Sequence, residues 1–398
     1  MLVKIVKNKL RNNKKLFYVL SRIKFWVSSA IYYLFIKLFR LFPICKNKII
    51  FISFVGKGYG DNAKYIMDEL LKKKDMIIYC AVKKNLKKGL PEGVKYTRYK
   101  SLAYYYHLAT AKIWINNMRF DYGIVKRKNQ FYIQTWHSSL RLKKIEKDAL
   151  KHMTPQYITT CKHDSGMIDL ITSGCRFSTD IYKKSFWYDG EVLECGTARC
   201  DILLKKDGIR KNRIKICDFF NIDPTKVIIL YAPTFRVDGK FDDRFIDCDE
   251  FSKKMGSNYT LILRLHPNMN DTKINSNIIN ASKYPDMQEL ICAADYLITD
   301  YSGCCFDMMI AKKPCILYVP DLEQYLKNER DLYFSFDELP FKKTSNIDEL
   351  INTIKGFDYK EYLKNIQVFS EKIGLCERGN ASKTIAGLIV DKCRGKNE

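Results

Sequence analysis

IIFISFV (residues 49–55) runs straight into Gly56-Lys57-Gly58-Tyr59-Gly60. An apolar run of that length, broken by one serine and closed by glycines, reads as a strand buried on both faces. Such strands occur where helices cover both sides of a parallel sheet. A helix-like segment, 62–74, follows directly. Working outward, strand-like runs recur at 76–82, 112–116, 131–136 and 157–161, separated by helix-like stretches such as 102–111 and 164–172. A second series opens after about residue 205, with strand-like runs at 227–232, 260–265, 296–299 and 315–319 and helix-like stretches at 287–294 and 305–312. The expected fold class is therefore α/β, with two Rossmann-like lobes facing across a cleft. A chain of 398 residues also exceeds the roughly 250–300 residues that one core usually supports. The expected division is an arm over 1–47, a first lobe over 48–205, and a second lobe over 206–398 that includes the terminal helices.

Hydrophobic residues make up 46% of the chain and aromatics 13%, which excludes global disorder. The net charge of +25 calls for a polyanionic partner: nucleic acid, anionic lipid or a phosphorylated substrate. Its distribution narrows the choice. Residues 1–48 hold twelve Lys or Arg, and the first acidic residue is Asp61. The fourteen cysteines include the neighbours Cys304 and Cys305 but no C-x-x-C pair. That spacing argues against zinc and for reduced, buried thiols.

In LFYVLSRIKFWVSSAIYYLFIKLFRLFPIC (16–45) the longest uncharged run, 25–36, is twelve residues, against about 20 for a spanning helix. Arg22, Lys24, Lys37 and Arg40 interrupt it on both sides, and no cleavage site precedes Pro43. The expectation is a helix in the membrane interface, anchored by Phe25, Trp26, Tyr32, Phe35 and Phe39 with cations on lipid head groups. A helix packed on the protein body and a true span are the alternatives.

Ligands of open α/β sheets bind beyond the carboxyl ends of the strands, so motifs at strand ends carry most weight. Gly56-x-Gly58-x-Gly60 offers backbone N–H groups to a phosphate or an acceptor, with Gly58 at its centre; a plain tight turn fits equally. His137, in Gln-Thr-Trp-His-Ser-Ser after an apolar run, is a candidate general base against a structural histidine. Thr234 and Arg236, in Tyr-Ala-Pro-Thr-Phe-Arg, offer a hydroxyl and a planar fork suited to phosphate. Arg264 and His266 are two apart and would share one face of a strand; a surface cation pair is the bland reading. Ser302 and Gly303, in Thr-Asp-Tyr-Ser-Gly, open a helix and form either an anion site or an ordinary cap. The sequence shows no nucleophile with its base, no metal cluster and no Walker loop. Direct displacement between a bound donor and a bound acceptor is the simplest chemistry.

Trp136-His137, Gly196-x-x-Arg199-x-Asp201, the Tyr231 to Arg236 run, Arg264-Leu-His266-Pro267, and Thr299 through Asp307 with Lys313-Pro314 resemble, in this order, the CDP-glycerol glycerophosphotransferase family. Its members are the teichoic acid primases and polymerases and their capsule relatives. The resemblance covers about residues 48–345. It implies a GT-B fold, an acceptor on the first lobe, a CDP-alditol on the second and peripheral attachment at the cytoplasmic face of the membrane. It implies His137 as base, His266 as a second catalytic histidine, and Arg264, Ser302, Gly303 and Asp307 in the donor site. Thr234 and Arg236 would lie nearby, and Gly58, Arg199 and Asp201 would complete the substrate contacts. Attack at the β-phosphorus would release CMP. Three positions depart from the family pattern: Ser138 where Gly is common, Gly303 where a second Ser is common, and Ala198 where Pro is expected. Glycerol, ribitol or another polyol phosphate would therefore fit as the transferred group. The implied partners are a CDP-alditol, a lipid-linked saccharide or polymer acceptor and an anionic membrane surface, with no nucleic acid. No cofactor is required, and a divalent cation is compatible. A GT-B glycosyltransferase using a nucleotide-sugar, and a non-catalytic basic protein of membranes or nucleic acid, are the competing readings.

Overall fold

The computed structural model describes residues 14–73, 75–236, 244–266, 278–328 and 331–395. Pro267 and the first thirteen residues of the arm lie outside them.

Among the described residues thirteen strands form two sheets. The first contains β1 (Cys45–Ile52), β2 (Ile77–Val82), β3 (Val94–Arg98), β4 (Ala111–Asn116), β5 (Phe131–Gln134), β6 (Leu170–Ser173) and β7 (Glu191–Glu194). The second contains β8 (Val227–Ala232), β9 (Tyr259–Leu263), β10 (Ile279–Asn280), β11 (Tyr296–Thr299), β12 (Cys315–Tyr318) and β13 (Lys342–Thr344). Their orders are 3-2-1-4-5-6-7 and 10-9-8-11-12-13, and every pairing is parallel. These are two Rossmann-like lobes, the architecture expected from the continuous apolar runs.

The pleat explains why those runs are continuous. Ile49 and Phe51 of β1, with Ile113 and Ile115 of β4, enter the core on one face of the first sheet. Ile50, Ile52 and Trp114 enter the core on the other. With both faces covered, the consecutive positions 49–52 and 113–115 are apolar on either side.

Four expectations need correction. The first strand stops at Ile52 rather than at 55: Phe54 and Val55 sit at φ 43° and 53°, a turn fixed by the bond from Phe54 N to Asn117 Oδ1 at 2.8 Å. The segment 157–161 is helical, inside Pro155–Ser165, because Pro155 is preset for the first turn and the Thr154 side chain accepts from Tyr157 N. The stretch 164–172 is not one helix. That helix ends at Ser165, and Leu170–Ser173 is β6, paired with β5 and β7.

The fourth concerns the division into lobes. The last helix, Ala381–Arg394, returns to the first lobe. Its Ile385, Ala386, Ile389 and Cys393 bury against Ile66, Met67 and Ile113. The spacing places one apolar stripe on that sheet, so the chain crosses between the lobes twice, near residue 197 and near residue 377.

The N-terminal helix, Lys14–Phe39, packs on the first lobe and also exposes apolar side chains. Ile36 is fully buried, and Tyr32 stacks on Tyr105 at 5.6 Å. Arg40 Nη2 donates to Val125 O and Lys126 O, both at 3.0 Å. A Cβ on Gly123 would stand 2.2 Å from Ser29 O, so only glycine lets the helix backbone come that close. Of the five expected anchors, Tyr32, Phe35 and Phe39 therefore face the protein. Phe25 contacts Tyr122, and Trp26 is half exposed. The outer surface instead carries Ile23, Val27, Leu34 and Leu38.

Candidate active site

The carboxyl ends of β5, β8, β9 and β11 open on one cleft of about 410 Å³ between the lobes. His137, Thr234, Arg264, His266, Ser302 and Gly303 line it, in accord with the rule that open sheets bind ligands beyond their strand ends.

His137 follows β5 through Trp136, which sits at φ 49°, a strained conformation of the kind concentrated at functional sites. Asn62 Nδ2 holds the turn from outside through Thr135 O and Trp136 O, at 3.2 and 3.1 Å. The ring's Nδ1 lies 2.8 Å from Asn117 O. A carbonyl only accepts, so Nδ1 carries the proton and Nε2 keeps its lone pair. Burial pushes the imidazole pKa down to about 4, against a smaller opposing effect of that bond. His137 is therefore neutral and oriented as a base.

Across the cleft, Arg264 follows β9. Its Nη1 donates to Tyr284 O at 2.8 Å, and among the described residues it makes no ion pair. Burial lowers its pKa, so an incoming anion would relieve an unpaired, partly desolvated guanidinium. His266 is lowered as well, first by burial and then by Lys57 and Lys143. Those two lysines thus place the mouth of the cleft in a positive field.

Other candidates are already committed to protein partners. Arg236 is buried, with Nη1 at 2.9 Å from Asp300 and Nε at 2.8 Å from Asp321. It is a structural link beneath the cleft and not an open phosphate fork. Thr234 lines the cleft, but its N–H and hydroxyl both donate to Asp300. Asp201 lies away from the cleft, accepting from Ala381 N and Ser382 N at 2.9 and 2.8 Å. It holds the start of the last helix. Gly58, at φ +144°, is not among the lining residues; the close approach in that turn belongs to Gly56, where a Cβ would meet Tyr99 at 2.8 Å.

Arg199 and Asp307 reach the cleft together. Arg199 donates to Asp61 Oδ1 and to His137 O, both at 3.1 Å, and pairs with Asp307 at 2.8 Å. Asp307 also accepts from Ser139 Oγ at 2.7 Å and Gln288 Nε2 at 2.9 Å. Both are occupied by protein. Ser302 Oγ stands 3.4 Å from Cys304 N, a weak turn bond, and no side chain caps the helix Cys304–Ile310. Among the described residues no group of three His, Cys, Asp or Glu is placed to hold a metal ion, and all fourteen cysteines are free.

Sequence reading missed Asp61, Asn62 and Asn117. Each stands just past a strand or at the first helical turn after one, which is the signal that would have found them.

The family model of CDP-Glycerol:Poly(glycerophosphate) glycerophosphotransferase matches residues 34–391. A teichoic acid poly(glycerol phosphate) polymerase of Bacillus spizizenii is 32% identical over 90% of this chain and 96% of its own. Another from Staphylococcus epidermidis is 32% identical over 86% of this chain, which spans only 50% of that protein's length. The solved structure of the wall teichoic acid polymerase TagF superposes with a TM-score of 0.84 at 29% identity, covering 100% of this chain and 99% of that one. Two parallel-sheet lobes of the GT-B type, the His137 turn facing the Arg264 strand end, and a match spanning nearly the whole chain agree: the chain belongs to the CDP-glycerol glycerophosphotransferase family.

Proposed function

We propose that this enzyme moves glycerol phosphate from CDP-glycerol to a hydroxyl of a lipid-linked teichoic acid or capsule-type polymer at the cytoplasmic face of the membrane. The observation that carries the reading is the opposition, across one cleft, of a neutral, oriented His137 to an Arg264 that makes no ion pair among the described residues.

The donor diphosphate lies against Arg264, His266 and Ser302. The acceptor hydroxyl approaches from the first lobe. His137 Nε2 takes its proton as the oxygen bonds to the β-phosphorus, and the bridging P–O bond breaks with its electron pair leaving on CMP. Charge grows on the leaving phosphate, where Arg264 and His266 stabilise it without reorganisation. The bound diphosphate also raises the pKa of both histidines. No cofactor enters this scheme; a divalent cation, where used, arrives on the diphosphate.

Membrane attachment is supported by the N-terminal helix, whose outer face exposes Ile23, Val27, Leu34 and Leu38 within a cation-rich arm. An apolar face flanked by cations suits the interface of an anionic bilayer. The helix is also long and apolar enough to cross a membrane by length and composition. Its inner face is occupied by Tyr105 and its neighbours, which favours lying on the surface.

The test is nucleotide release from CDP-glycerol, CDP-ribitol and UDP-sugars in turn, with lipid-linked acceptor, beside a His137→Ala variant. CMP release from CDP-glycerol that the variant loses is the expected result. UDP release, or CMP release indifferent to His137, overturns the reading.

A further inference from the structure

We infer that the loop after β2 is a docking track for the polyanionic acceptor chain, placed so that the end of a phosphodiester polymer reaches His137. This rests on the reading above and extends it from the reacting end of the acceptor to the chain behind that end.

The 3-10 helix Lys84–Gly89 has no buried residue. With its preceding residue it presents Lys83, Lys84, Lys87 and Lys88, all exposed, with no acid between them. Among the described residues none of the four forms an ion pair. Lys87 lies over the Tyr96 ring at 5.5 Å, which keeps its charge; four like charges within six positions repel one another, and a surface that holds them without counter-charges among the described residues favours a polyanion.

The loop is joined to the cleft. Lys83 N donates to Gly56 O at 2.9 Å, and the Leu86 side chain lies 3.9 Å from where a Cβ on Gly58 would stand. The glycine turn therefore rests against the lysine loop. That turn carries the exposed Lys57, and its Phe54 ring stands 5.7 Å from the His137 ring. Positive charge thus runs from the turn beside His137, through Lys57, to the loop.

A membrane is the other polyanion available, and the fold separates the two. Leu86 and Leu90 pack with Tyr59, Ile66 and Met67 on one face of the first sheet. Ile36, Tyr32 and Phe35 of the N-terminal helix pack on the opposite face, with Tyr104 and Tyr105. The lysine loop is thus anchored on the sheet face away from the helix that meets lipid. A chain of phosphodiesters leaving the cleft is the occupant it fits. Such a track serves repeated addition, because each product is a longer ligand for the same lysines.

The test is binding of fluorescent oligo(glycerol phosphate), one long and one of a single unit, to the full chain and to the K83Q/K84Q/K87Q/K88Q variant at low and high salt. The long oligomer is expected to bind the unaltered protein about tenfold or more tighter than the single unit, and the variant to lose that preference together with its salt dependence. Equal affinity of both proteins for the long oligomer overturns the track. Loss of binding to phosphatidylglycerol vesicles with oligomer binding intact overturns it in favour of lipid. CMP release from CDP-glycerol by the unaltered protein reports separately on the transferase reading. Binding needs no turnover, so the two can fail independently.

Discussion

Arg199 Nη2 stands 2.8 Å from Asp307 Oδ2, and this pair joins the two lobes directly behind the cleft. The same guanidinium reaches Asp61 and the carbonyl of His137 at 3.1 Å. A side chain read as a substrate contact is thus a strut between the His137 turn and the second lobe. Removing one partner of a buried pair leaves an uncompensated charge and costs about 3–5 kcal/mol. Arg199→Ala should lower the melting temperature by several degrees and reduce kcat. Arg199→Ala with Asp307→Asn should regain part of the stability, measured by calorimetry. Equal stability of the single and double variants would show that the pair is not coupled.

Arg236 and Arg264 should separate in their effects. Arg236 is enclosed by Asp300 and Asp321, and burial of that trio makes it structural. Arg236→Ala should cost about 3–5 kcal/mol of stability. Arg264 gives up one bond to Tyr284 O. Arg264→Ala should leave the melting temperature nearly unchanged and weaken CDP-glycerol about 10–100-fold, the worth of one charged hydrogen bond. Donor KM beside thermal melting distinguishes the two, and a reversed pattern would exchange their roles.

The fold was legible because β8 and β11 are buried on both faces and announce themselves as apolar runs; their bounds match the sequence reading, 227–232 and 296–299. The edge strands β3, β7 and β13 were not, since Val94–Arg98, Glu191–Glu194 and Lys342–Thr344 carry charges on their open sides. At the site, the placement of His137 and Arg264 on one cleft could be read from strand ends. The fate of Arg199, Arg236 and Asp201 could not. Their partners Asp307, Asp321 and Ser382 come from 108, 85 and 181 positions away, and no local pattern announces which charged groups a fold will satisfy internally.

If His137 is the base proposed above, it should set the acid side of the pH profile. Its pKa is pushed down to about 4 by burial, so in the free enzyme the base is neutral across the range in which an ordinary histidine, near 6.5, is half protonated. The acid limb of kcat/KM should therefore fall well below pH 6.5, while that of kcat lies higher, because the bound diphosphate favours the imidazolium. His137→Asn should abolish turnover and retain CDP-glycerol binding. A limb in kcat/KM near 6.5 would assign it to another group.

The outer face of the N-terminal helix should govern attachment without governing stability. Val27 and Leu34 are 53% and 63% exposed, so Val27→Glu with Leu34→Glu should change stability by only about 0.5 kcal/mol. Sedimentation with anionic vesicles should fall sharply, because acidic residues replace the buried apolar area and repel the head groups. Tyr105→Ala, which removes the ring stacked on Tyr32, should instead destabilise the fold. Unchanged sedimentation of the double variant would place the membrane contact elsewhere.

Glu377 should make the crossing between lobes lose stability as pH rises from about 4.5 to about 8. Its carboxyl accepts from Thr197 N at 2.9 and 3.0 Å, and burial raises its pKa from 4.5 to about 8, outweighing those bonds. The folded state therefore holds a proton that the unfolded chain releases at lower pH. This stabilisation is complete below about 4.5 and is lost as pH rises through about 8. Glu377→Gln keeps a carbonyl for Thr197 and cannot ionise, so its melting temperature should stay level over a range in which that of the unaltered protein declines. Parallel decline of both proteins between about pH 4.5 and 8 would mean that Glu377 is ionised in the fold and that the loss arises elsewhere.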